Sequence, residues 1–221
     1  MKLLFYFNGF NSAIPEDWSD NAKIVAVETF ARQHGYRFLP TTIDYRRAEE
    51  CARGILARPE WSTDRDASGG AQGVVFSGSS MGGWYARIMQ LLLARERPGL
   101  PVEALAFNPA FDLSLHGHML LGPQINFVTG ERWVWSERDS ERLSRLERSV
   151  DFDAPLPFYV YVDQGDEVIG WEHSARRHGK IAHFVAFEGG SHLFEHAEKA
   201  LADFQAIRAR RAAVLETRQT T

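Results

Sequence analysis

"FSGSSMGGW", residues 76 to 84, follows the apolar "VVFS" and opens "GWYARIMQLLLARE". Residues 74–77 read as a buried strand, and residues 83–96 carry helical spacing with a wide apolar face. The glycine- and serine-rich stretch is then a strand-to-helix turn. Within it Gly78, Ser79, Ser80, Met81 and Gly82 spell GxSxG. A nucleophile at such a turn stands on strained backbone with its hydroxyl projecting from the sheet, and the flanking glycines let strand and helix approach without Cβ clashes. Ser80 is the central serine. The free amides and dipole at the start of the following helix stabilise a developing oxyanion, which makes the Met81 N–H the natural first donor.

Outward from the elbow, strands and helices alternate. "LLFYF" (3–7) is a short apolar run closed by Asn8-Gly9, and Ser19 or Asp20 can cap a helix whose apolar positions are Ile24, Val27, Phe30 and Ala31, ending at Gly35. "YRFL" (36–39) is the second strand, Asp44 to Ala57 the second helix, and 59–73 an exposed loop rich in Ser, Gly and Asp. After the elbow come a strand at 102–108, a break over 109–150, a strand at 158–163, a short helix at 171–178, a strand at 181–187 and a last helix from about His192. This order predicts the α/β class: one domain over 1–221, a mostly parallel central sheet with helices on both faces, and an insertion or small cap at about 109–150.

Composition sets outer bounds. The 221 residues are 44 % hydrophobic and 24 % charged, an ordinary globular balance. A formal net charge of -4 supplies no basic field for nucleic acid and no polybasic anchor for lipid. The basic end "RARRAAVLETRQTT" is read as the solvated last turns of a helix. Cys51 is a single cysteine, so an intrachain disulfide and a multi-Cys metal site are excluded. The apolar run at the N-terminus is shorter than a secretory leader requires, and no stretch is long enough to span a membrane. The expectation is a soluble, cytoplasmic protein with no nucleic-acid or membrane partner; oligomeric state stays open.

A serine hydroxyl needs a base, and the base usually needs a carboxylate. His192, in "FEGGSHLF", lies after the last strand and reaches the same sheet edge as Ser80. His34 falls at a helix end, His116 and His118 in the insertion, His173 and His178 in or beside the short helix, His183 in a strand and His196 one turn into the last helix. For the acid, "VYVDQGDEVIGW" offers Asp163, Asp166 and Glu167. Asp163 ends the strand, where a surface or capping role is expected, and Asp166 stands in the turn and is favoured. The order Ser80, Asp166, His192 is that of alpha/beta-hydrolases. The second oxyanion donor falls in "FNGFNS", where Gly9 turns the chain and exposes the Phe10 N–H.

With these residues in place the chain resembles the YqiA-like small serine esterases, alpha/beta-hydrolases of the UPF0227 type, over nearly its full length. The shared motifs are "NGFNS" (8–12), "GSSMGGWYA" (78–86), "NPA" (108–110), "QGDEV" (164–168) and "EGGSHLF" (188–194). The resemblance implies Ser80 as nucleophile, Asp166 as acid, His192 as base and the Phe10 and Met81 amides as oxyanion donors. One departure is Asn8, where the family usually carries histidine.

The expected activity is cleavage of carboxylic esters, with short acyl chains favoured because the insertion is too small for a large interfacial lid. No metal or organic cofactor is required, because fixed amides stabilise the oxyanion. The partner is then a small-molecule ester. Asn11, Phe111, Phe127, Trp133 and Trp135 are candidate pocket residues, along with His116 in the same insertion. Thioester, amide or carbon-carbon cleavage would use the same triad, and a noncatalytic binding protein would keep the fold alone.

Overall fold

The computed structural model describes residues 1–61 and 70–219. Among these residues there are eight strands: β1 (Lys2–Phe7), β2 (Tyr36–Thr41), β3 (Gly73–Ser79), β4 (Val102–Phe107), β5 (Gly122–Ile125), β6 (Arg132–Trp135), β7 (Phe158–Asp163) and β8 (His183–Phe187). The helices are α1 (Ala22–Gln33), α2 (Ala48–Leu56), α3 (Met81–Glu96), α4 (Leu113–His116), α5 (Glu137–Arg148), α6 (Trp171–His178) and α7 (Ala197–Gln219). Six strands form one parallel sheet in the order β2-β1-β3-β4-β7-β8, and β5 and β6 pair separately as an antiparallel hairpin.

The period of two along each strand divides the core. Leu3, Phe5 and Phe7 face α2, α3 and α5, whereas Leu4 and Tyr6 face α1 and α7. A strand buried on both faces needs a continuous apolar run, which is why "LLFYF" shows no polar alternation. The four apolar positions expected on α1, Ile24, Val27, Phe30 and Ala31, are its buried residues. Pro40 is tolerated because β2 is an edge strand.

The chain leaves β1 toward β2, then returns past β1 to β3 and continues outward to β8. The winding therefore reverses between β1 and β3. At such a reversal in an open parallel sheet, the carboxyl edge is the usual place for a site. That edge also receives the turns after β4, β7 and β8.

Several boundaries differ from expectation. Asn21, rather than Ser19 or Asp20, caps α1, its Oδ1 accepting from Ile24 N at 3.1 Å. The second helix starts with a tighter turn at Tyr45–Arg47 before α2. The expected loop at 59–73 holds one helical turn at Pro59–Trp61, and residues 62–69 lie outside the described part. The last helix begins at Ala197, so His196 precedes it. Near the C-terminus, Arg208 pairs with Glu103 at 2.7 Å and Arg211 donates to the Tyr159 hydroxyl at 3.0 Å, so these two arginines pack on the sheet side of α7.

Residues 109–150 hold α4, the β5–β6 hairpin and α5. Glu147 of α5 anchors them to α3, accepting from the Trp84 indole at 2.8 Å, and joins α5 to α4 by accepting from the amides of Leu113 and Ser114 at 3.1 and 2.7 Å. Among the described residues no helix is long and apolar enough to cross a membrane.

Candidate active site

Ser80 stands between β3 and α3 with φ 56° and ψ -126°, a left-handed conformation that L-residues rarely adopt. Its amide donates to Phe107 O at 3.0 Å, and its carbonyl accepts from Gly83 and Ala110, both at 3.0 Å. The glycines beside it are required by contact: a Cβ on Gly78 would sit 2.4 Å from the Gly82 backbone, and one on Gly82 would sit 2.3 Å from Phe7 O. Met81 opens α3, so its N–H is among those with no carbonyl partner inside the helix.

The acid and base candidates meet. His192 Nδ1 lies 3.0 and 2.9 Å from the two Asp166 carboxylate oxygens. Asp166 Oδ1 also accepts from the amides of Val168 and Ile169, both at 2.8 Å. A carboxylate only accepts, so Nδ1 carries the hydrogen and Nε2 is left as the imidazole's acceptor. Glu167 Oε2 accepts from His192 N at 3.0 Å; hydrogen bonds from its own backbone and from His192 hold this carboxyl below its ordinary pKa. The two loops touch through glycine: a Cβ on Gly165 would be 2.3 Å from Gly190 O. Among the described residues no hydrogen bond joins the Ser80 hydroxyl to His192; Lys23 bonds both the elbow and the base loop.

Asn108, from the "NPA" motif, is almost fully buried. Its Nδ2 donates to the carbonyls of Ser191 and His192 at 2.9 and 3.4 Å, and its Oδ1 accepts from Asp163 N at 2.8 Å. One amide side chain thereby fixes the base loop to β4 and β7. Asp163, read from sequence as a surface or capping residue, is instead 0 % exposed. It accepts from His196 Nδ1 at 2.8 Å and from Glu195 N at 2.7 Å, a second carboxylate–histidine pair behind the first. Lys23 of α1 donates to Ser79 Oγ at 2.6 Å and to Leu193 O at 2.8 Å. These three residues act on the site only through tertiary contact, and no local motif announces Lys23 or Asp163.

The loop after β1 lies against the serine. A Cβ on Gly9 would be 3.3 Å from Ser80 Cβ and 3.8 Å from its Oγ, so the Gly9–Phe10 peptide runs beside the hydroxyl. Asn8, in the place of the family's usual histidine, holds this loop. Its Nδ2 donates to Gly9 O and Ser12 O at 2.9 and 2.7 Å, and its Oδ1 accepts from Ile43 N at 2.7 Å. The carboxamide thus closes the loop on itself and ties it to the segment after β2.

From outside, the hairpin grips the same loop. Phe127 N donates to Asn11 O at 2.8 Å, and Asn11 Nδ2 donates to Gln124 Oε1 at 2.7 Å. The Phe10 ring meets Trp133 and Trp135 edge-on at 6.4 and 5.1 Å. Among the expected pocket residues, Asn11, Phe111 and Trp133 are partly exposed and Phe127 is 78 % exposed at the hairpin tip. Trp135 departs from that expectation: it is 1 % exposed, bonds Ser140 Oγ through its indole, and backs Phe10 from the core. The Phe111 ring packs on His116 and His178.

Five non-glycine residues among those described have positive φ: Asn11, Ser80, Asn108, Asp112 and Phe194. All five lie on loops at the carboxyl edge. Among the described residues no group of three or more His, Cys, Asp or Glu side chains is arranged to hold a metal.

Solved structures share this architecture at low identity. Est1E from Butyrivibrio proteoclasticus superposes with a TM-score of 0.66 at 15 % identity, covering 96 % of this chain and 88 % of that one. The esterase domain of a Rhodothermus marinus protein gives 0.57 at 16 % identity, covering 95 % and 86 %. Mouse alpha/beta hydrolase domain-containing protein 10 gives 0.54 at 18 % identity, covering 94 % and 89 %. These likenesses establish an alpha/beta-hydrolase fold. No curated protein matches the chain. A family model does, over residues 3–209, nearly the whole length and every motif above: the chain belongs to the uncharacterised protein family UPF0227.

Proposed function

We propose that the protein is a serine hydrolase of carboxylic esters with short acyl chains, working through an acyl-enzyme. The observation that supports this reading is a histidine whose Nδ1 is held 2.9 Å from a buried carboxylate, on the same sheet edge as a serine on a strained elbow, φ 56°. Ser80 Oγ attacks the ester carbonyl as His192 Nε2 takes its proton. Asp166 keeps the imidazole in the required tautomer and stabilises the imidazolium. The tetrahedral oxyanion lies toward the amides of Phe10 and Met81, fixed dipoles that need no reorganisation when charge develops. Collapse breaks the ester C–O bond, and His192 returns the proton to the leaving alcohol. Water then repeats the sequence on the acyl-serine and releases the acid.

Phe111, Trp133 and the tip residue Phe127, with Asn11, are the proposed walls for the substrate. Est1E has been solved with ferulic acid bound, so aryl esters belong beside alkyl esters in the test. The experiment is labelling by a fluorophosphonate, followed by turnover of p-nitrophenyl esters of increasing chain length, a feruloyl ester and acyl-CoA thioesters. Wild-type protein is expected to label and to turn over short esters, and Ser80→Ala to do neither. Unchanged turnover by Ser80→Ala overturns the assignment, and thioesters turned over faster than esters would change the substrate class.

A further inference from the structure

We infer that Lys23 is a positioning residue for Ser80 and His192, its ammonium clamping the nucleophile elbow to the base-bearing loop. The inference rests on the esterase reading above. Lys23 lies on α1, on the opposite face of the sheet from α3, beneath the carboxyl edge. Its Nζ reaches Ser79 Oγ at 2.6 Å and Leu193 O at 2.8 Å. Ser79 is the residue before the candidate nucleophile and Leu193 the residue after the candidate base, so one side chain holds both by their nearest neighbours in the chain.

A lysine in this place is costly unless it acts. An ammonium offers three donors and no acceptor, and a charged donor makes shorter and stronger hydrogen bonds than a neutral one. Burial opposes the charge and lowers the amine to a pKa of about 8; Asp163 and Asp166, from the end of β7, draw it back up. Both carboxylates are bound to histidines, Asp163 to His196 and Asp166 to His192. The cation therefore lies within reach of the charge of both acids.

Lys23 also lines a cleft of about 890 Å³ between the starts of α1 and α7. The other charged or titratable groups around it are Asp17 and Asp20 before α1, Glu195 and His196 before α7, and Glu198 and Lys199 in its first turn. The cleft gives the amine a route for proton exchange with solvent. As pH rises through about 8, the amine gives up its proton, the two hydrogen bonds lose their charge assistance, and the clamp loosens.

The test is kcat and KM for p-nitrophenyl acetate between about pH 6 and 9.5, on the full chain and on Lys23→Met, Lys23→Arg and Ser79→Ala, with folding followed by circular dichroism. Wild type is expected to lose kcat above about pH 8. Lys23→Met is expected to lose about 10²-fold in kcat with KM little changed, because misplacing a catalytic group by about 1 Å costs that much. Lys23→Arg, which keeps its charge, is expected to recover most of kcat and to lack the alkaline fall. Ser79→Ala is expected to lose several-fold in kcat and to keep the alkaline fall. Lys23→Met at wild-type kcat overturns the inference. If Lys23→Met does not fold, the other two variants decide: Lys23→Arg with the wild-type alkaline fall, or Ser79→Ala at full kcat, overturns it. A wild-type chain that neither labels with fluorophosphonate nor turns over any ester removes the esterase reading and the clamp together. An active wild type with indifferent Lys23 variants removes the clamp alone.

Discussion

Asp166 accepts from three N–H groups, two from its own turn and one from His192. In Asp166→Asn an amide replaces one acceptor oxygen, and the histidine hydrogen is no longer fixed on Nδ1. We expect Asp166→Asn to leave the circular dichroism spectrum intact and to lower kcat by about 10⁴-fold, as loss of the correct tautomer does in serine proteases; stopped assays on p-nitrophenyl esters measure it. Retention of more than about a tenth of wild-type kcat would move the acid role elsewhere, with Asp163 next in line. Ser80, Asp166 and His192 are legible in the sequence because each sits in a loop whose place in the chain order dictates which sheet edge it reaches. Asn108 and Lys23 are not legible in this role. An asparagine at a strand end and a lysine on a helix have ordinary uses everywhere, and only the fold brings these two to carbonyls 83 and 170 residues away.

Among the elements, the inner strands β1, β3, β4 and β7 read cleanly because they are buried on both sides, and β7 spans the residues expected of it. The β5–β6 hairpin has no such signature. Its strands are four residues each, Gly122 and Pro123 begin the first, and it is bonded to the loop after β1 through Asn11 and Gln124. The start of α7 differs from expectation for a related reason: Asp163 captures Glu195 N and His196 before the helix begins. The Asn11–Gln124 bond ties the hairpin to the loop that carries the proposed Phe10 donor. Gln124→Ala removes one partner of that bond and the contact with Leu120 O. We expect about 1 kcal/mol of lost stability, the usual net worth of such a bond, read as a small decrease in melting temperature. The fall in kcat is expected to be proportionally larger than this stability loss. Equal kcat for Gln124→Ala and wild type would separate the hairpin from the oxyanion loop.

At the scale of the whole molecule, two cores flank one sheet, and the larger contains a histidine with no work at the site. His178, at the end of α6, is 0 % exposed, and neither ring nitrogen has a partner among the described residues. The rings of Phe111, Phe152 and Phe158 surround it. Burial, with the charges of Arg177 and Arg87 and against that of Asp153, pushes it down to a pKa of about 3. In the unfolded chain it takes a proton near pH 6.5, whereas the folded chain refuses one until about pH 3. Its contribution to stability is therefore complete above pH 6.5 and is lost as pH falls through that window. The loss is about 2 kcal/mol between about pH 7 and pH 5. His178→Phe removes the proton site and keeps a ring in the cage. Urea unfolding at about pH 7 and about pH 5 is expected to show a smaller loss for the variant by that amount; equal losses would mean the imidazole is not what responds to acid.

The left-handed residues at the carboxyl edge carry a consequence for how this chain can change. Asn11, Ser80, Asn108, Asp112 and Phe194 each hold a conformation that glycine would adopt with less strain, of order ~1–2 kcal/mol per residue. Selection for heat resistance alone would relax these positions early, and selection for turnover would forbid it at Ser80 and restrain it at its neighbours. The two cores can accumulate stabilising substitutions independently of activity. On the proposed mechanism the edge between β1 and β3 cannot, so divergence within the family is expected to be channelled away from it.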